Sequence, residues 1–185
     1  MVDLMPERQT AFAVNAPLWE VWAFVRDVHA LCTCIPGVEQ VRLVDDRTAE
    51  LTVKEKIGVV PLVLALTAHI DSEDPPHSLR AVATAEHLTM EIDVALQESG
   101  SGTRMLGLIR VKGTGPLERV VDSLFEKRAS ERAAQFAEHL ERRFGALPRE
   151  RAAVPAGAAA PPRGIGQRIG AWLRALWRRI AGRDM

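Results

Sequence analysis

Tyrosine is absent from this 185-residue chain, and its five histidines, His29, His69, His77, His87 and His139, fall in separate segments. No Ser/His/Asp set or paired carboxylates sit in a recognisable context, so no catalytic residues are assigned. Cysteine is scarce: Cys32 and Cys34 are too few for a disulfide framework. His29 completes a His-x-x-Cys-x-Cys spacing, but a fourth ligand is not evident and a Cys-x-Cys pair on a helix points to different faces. Buried, reduced thiols are therefore expected instead of a metal site. Long apolar runs are missing. The longest, residues 57–70, contains Pro61 and suits a buried strand better than a bilayer span. Residues 1–9 include Asp3 and Glu7 and no apolar run, so a cytoplasmic location is expected.

Net charge is zero as well, but as a balance of unequal parts. Residues 1–144 carry 16 Lys+Arg against 22 Asp+Glu, and residues 145–185 carry 8 against 2. An acidic domain with a basic tail argues against nucleic-acid binding by the domain. Residues 145–163 contain four prolines and seven alanines without an amphipathic pattern. They read as a linker, spanning roughly 25 Å when flexible and nearly 60 Å when extended. The expected organisation is a domain over 1–144, this linker, and a tail helix over 164–185.

Within the domain, residues 9–14 alternate as a strand, and Asn15 followed by Pro17 supplies a helix start. Leu18, Val21, Trp22 and Val25 form that helix's inner stripe. Asp27 is placed to cap a second short helix that ends before Pro36-Gly37, where proline fixes the turn and glycine can take positive φ. From Val38 the period changes to two. Residues 41–44, 51–56, 59–70, 79–87, 90–96 and 105–112 are strand candidates with short links, the mark of an antiparallel meander. After Gly113-Thr114-Gly115-Pro116 a long helix is expected to about Phe144, with an inward stripe of Leu117, Val120, Val121, Leu124, Phe125, Phe136 and Leu140.

One strand is unusual in bulk. Ala81, Ala83 and Ala85 occupy the inward positions where a filled core would carry Leu or Ile. A space lined by these alanines with Leu62, Leu64, Leu66, Ile92, Val94, Met105, Ile109, Leu117, Val121, Leu124 and Phe125 has no fixed charge and would take a long apolar ligand. A packed core is the alternative, since small residues also serve close sheet-to-helix packing. His87, next on the same strand, would either face this space or end the strand in water.

In the tail, Ile165, Ile169, Trp172, Leu173, Leu176, Trp177 and Ile180 fall on one helical stripe, framed by Arg168, Arg174, Arg178, Arg179 and Arg183. Too short and charged to span a bilayer, such a helix lies in an anionic membrane interface. A partner protein's groove or the chain's own domain are the other targets this stripe fits.

The order of elements, strand, helical elbow, meander, long helix, resembles the START-like helix-grip (SRPBCC) superfamily. Residues Phe12-Ala13-Val14-Asn15-Ala16-Pro17, Val21-Trp22, Asp27, Leu31 and above all Cys34-Ile35-Pro36-Gly37-Val38-Glu39 are similar to the N-terminal signature of its carbon monoxide dehydrogenase G-subunit family. The resemblance covers residues 9–144 and implies an α+β fold with a curved antiparallel sheet wrapped around the last helix. It further implies a non-catalytic accessory protein for a molybdenum hydroxylase of the carbon monoxide dehydrogenase type, which the amphipathic tail would attach peripherally to the inner face of the cell membrane. No tightly bound cofactor is expected, and a quinone or another apolar lipid would fit the lining. A free-standing lipid or isoprenoid carrier and a polyketide cyclase-like enzyme are the competing readings.

Overall fold

Alternating apolar residues become strands and the 3.6-period stretches become helices in the computed structural model. It describes residues 5–57 and 59–146, apart from the side chains of Ile57, Val60, Asp122, Leu124 and Glu126. These residues lie in the first of two units, 1–148 and 149–185. The linker from residue 147 on and the whole tail, with every proposed membrane-binding residue from Ile165 to Ile180, lie outside the described residues.

The order is β1 (Glu7–Val14), α1 (Leu18–Arg26), α2 (Val28–Thr33), β2 (Val38–Leu43), β3 (Thr48–Ile57), β4 (Val60–Asp74), β5 (Ser78–Ala85), β6 (Leu88–Ser99), β7 (Gly102–Gly113), a 3₁₀ turn (Gly115–Leu117) and α3 (Glu118–Phe144). The seven strands form one antiparallel sheet in the order β1-β7-β6-β5-β4-β3-β2, a meander closed on its far edge by β1. Registers put Leu51 opposite Leu66, Ala68 opposite Ala83, Ala81 opposite Ile92 and Leu96 opposite Met105, so one face is apolar across the sheet.

The elbow forms for local reasons. All four expected stripe residues of α1 are buried, and the Asp27 carboxylate accepts from Ala30 N at 2.9 Å, capping α2. Gly37 has φ +90° and turns the chain into β2. Asn15 does not cap α1 as expected. Pro17 is the N-cap, and Asn15 Nδ2 donates to Ala146 O at 3.2 Å, tying the start of the domain to the end of α3.

Strand bounds moved where turns decide them. β2 begins at Val38 instead of 41, because Lys54 N donates to Gly37 O and Val38 pairs with Val53 directly after the turn. β4 continues beyond 70 through polar residues, its register shifting between Ile70 and Ser72, and Glu73 meets Arg26 of α1 at 2.5 Å. β5 stops at Ala85, and His87 sits in the β5–β6 turn with φ 64° and an exposed side chain. The strand-end reading of this histidine therefore holds, and the inward one does not.

Candidate functional site

Packing between sheet and α3 is uneven, and that unevenness defines the site. At the elbow end, α1 and α2 cover the inner face and Val21, Val25, Ala49, Leu51, Ile70, Leu79 and Leu96 are all buried. α3 lies along β7 and β1. The Phe12 and Phe136 rings meet edge-on at 5.3 Å, and Val121 presses on Gly113, where a Cβ would come within 2.6 Å of Leu117 O.

Of the residues assigned to the lining, Leu66, Ala83, Met105 and Val121 are buried. Leu62, Leu64, Ala81, Ala85, Ile92, Val94, Ile109, Leu117 and Phe125 keep intermediate exposure although most share the sheet's inner face. The side chain of Leu124 lies outside the described residues. Leu64, Ala81, Ala85, Val94, Ile109, Leu117 and Phe125 pack, partly buried, against the core, and α3 makes its main strand contacts with β7 and β1.

Polar bridges from sheet to helix mark both margins of this lining. On the β1 side, Arg8 Nη2 donates to Ser130 Oγ at 2.8 Å. On the β3 side, Arg132 Nη2 donates to Glu55 Oε1 at 2.5 Å and Arg128 Nη2 to Lys56 O at 3.0 Å. A groove of about 350 Å³ opens beside this second margin, lined by Gly37, Val38, Glu39, Lys54, Glu55, Lys56, Arg128 and Arg132. Sequence reading missed it, because it joins the Pro36-Gly37 turn to α3 residues nearly a hundred positions away. The alternating Lys54-Glu55-Lys56 was its one local signal.

The titratable groups among the described residues are dispersed over the domain. His29 on α2, His69 on β4 and His77 in the β4–β5 turn are exposed, and His69 Nδ1 is hydrogen-bonded with Thr48 Oγ1 at 2.9 Å. Cys32 is buried, and desolvation, helped by the negative charge of Asp27, pushes its thiol up to about 11. Cys34 is half-buried, and among the described residues no three His, Cys, Asp or Glu side chains group as a metal site. Asp93, buried on the sheet face away from α3, has its carboxyl raised by desolvation, which the cations of Arg80 and Arg110 partly offset. No described helix is long and apolar enough to cross a membrane.

The profile of the carbon monoxide dehydrogenase G subunit (CoxG) matches residues 11–145. No curated protein matches the chain. Among solved structures, a conserved protein from Geobacillus kaustophilus superposes with TM-score 0.63 at 14% identity, covering 75% of this chain and 95% of that one. A START superfamily protein from Mycobacterium smegmatis gives 0.59 at 12% identity over 74% and 97%. The Zhui aromatase/cyclase from a Streptomyces species gives 0.56 at 13% identity over 76% and 96%. At these identities the likeness is one of fold, the START-like helix-grip architecture.

Proposed function

The chain belongs to the CoxG family, the G subunit of carbon monoxide dehydrogenase, and from that premise we propose that it is a non-catalytic accessory protein. In this reading it holds an apolar ligand such as a quinone between sheet and α3, and brings a molybdenum hydroxylase of the carbon monoxide dehydrogenase type to the membrane. The family match over residues 11–145 carries the proposal. The half-covered, uncharged lining supports the ligand, because an apolar molecule gains about 25 cal/mol for each Å² it removes from water and no buried charge there would demand a partner. A cyclase would need polar groups converging inside. Here Arg8, Glu55 and Arg132 lie at the margins, engaged in sheet-to-helix bonds.

Recruitment rests on the acidic domain, the basic Trp-bearing tail and the linker between them, which would let two weak contacts act at high effective concentration. The test is fractionation of the native host with residues 164–185 deleted. The hydroxylase should leave the membrane yet keep its activity on a soluble electron acceptor. A hydroxylase that stays membrane-bound overturns recruitment and leaves the free-standing lipid carrier. Mass spectrometry of organic extracts of the purified protein checks the ligand, and an extract without any apolar molecule counts against it.

A further inference from the structure

We propose that the tip of the β3–β4 hairpin is itself a lipid-contacting element, which sets the open side of the apolar lining against the membrane surface. The proposal deepens the apolar-ligand reading and rests on it. From residue 57 to 68 no side chain is charged. On an antiparallel strand with one solvated face, every second residue should be polar, and the start of β4 departs from that rule. Leu62 and Leu64 face inward, half-buried, while the alternate positions Pro61, Val63 and Ala65 are exposed and just as apolar. Val59, in the turn, is 98% exposed and Val63 is 59% exposed.

The base of the hairpin is basic. Lys56 stands opposite Pro61 and Lys54 opposite Val63 on the exposed face. Lys54 is paired with Glu39 at 3.3 Å, whereas Lys56 makes no ion pair among the described residues. An uncharged tip in front of lysines is the arrangement in which apolar side chains enter below the headgroups while ammonium groups stay at the phosphates. A protein partner fits less well, because a projecting tip of a few small side chains falls far short of the roughly 800 Å² per partner of a stable interface. The same hairpin carries Leu62 and Leu64 on its other face, so lipid contact there would let a ligand pass from bilayer to lining without crossing water.

Hydrogen–deuterium exchange on the full chain tests this, with and without vesicles of equal phosphatidylcholine and phosphatidylglycerol. Peptides over residues 57–64 should exchange at least about threefold more slowly on vesicles. The double variant Val59→Asp, Val63→Asp should lose that slowing while still binding a quinone in vesicle-free solution. Unchanged exchange over 57–64 in vesicle-bound protein overturns the proposal, as does a chain that does not bind vesicles. Slowing that appears without lipid and grows with protein concentration overturns it in favour of contact between copies. Quinone binding in solution reads the ligand proposal separately: its loss with hairpin protection intact sinks that reading alone, and the reverse result sinks only this one.

Discussion

Gly37 and Arg132 touch across the domain: a Cβ on Gly37 would lie 3.2 Å from Arg132 Nη2 and 3.1 Å from the Lys54 carbonyl oxygen. The turn after α2 is therefore fitted to the helix that crosses the sheet, and Arg132 reaches Glu55 only past a residue without a side chain. Gly37→Ala should destabilise the domain by about 1–3 kcal/mol, from its φ of +90° and the two close contacts. Urea denaturation checks it. A loss no larger than a surface Gly→Ala change would mean that turn and helix yield freely.

The two cysteines differ in reach. Cys32 is 5% exposed with its thiol raised to about 11, while Cys34 is half-buried. Alkylation of native protein by iodoacetamide in mildly alkaline buffer should therefore mark Cys34 and spare Cys32, with both modified after unfolding. Peptide mass spectrometry reads the ratio, and equal labelling in the native state would contradict the burial.

Asp93 gives a pH dependence of defined sign. Its carboxyl is raised above 3.8 by burial despite Arg80 and Arg110, so the folded state holds its proton more tightly than the unfolded chain. Ionised Asp93 thus costs stability at neutral pH. That cost shrinks as pH falls through the raised folded value and is gone below the unfolded one. Asp93→Asn removes the titration, so the stability of wild type relative to this variant should rise as buffer is taken from neutral to acid. Urea midpoints at two pH values measure it. A difference that moves the other way would mean that Arg80 and Arg110, not burial, govern the group.

Much of this fold is written locally. Leu18, Val21, Trp22 and Val25 recur at helical spacing, Asp27 stands where α2 needs an acceptor, and two-residue alternation marks the inward side of the strands apart from the all-apolar start of β4. What escaped depends on residues far apart in sequence. Asn15 looked like a cap but serves Ala146, and Phe24 is buried through a contact with the Phe144 ring at 5.5 Å. The groove beside Gly37 escaped for the same reason, since neither β3 nor α3 announces the other. Ala81, Ala83 and Ala85 were legible as small residues on the inward face of β5, but how deeply each is buried was not, because that depends on elements far away in sequence.

Burial separates three alanines which the sequence treats alike. Ala83 is 4% exposed, set between Ala68 and Met90 in the sheet, whereas Ala81 and Ala85 keep intermediate exposure. Added bulk at Ala83 meets packed neighbours, so Ala83→Leu should cost about 1–3 kcal/mol. Ala85, beside the β5–β6 turn, is only partly buried, and the proposed ligand space would take the added methyl groups there. Ala85→Leu should then be nearly neutral in stability and weaken binding of an apolar probe severalfold. Denaturation and a quinone titration on the same two variants decide the matter. If both lose stability equally and neither changes probe binding, the inner face is a filled core from end to end, and the apolar-ligand reading loses its physical basis.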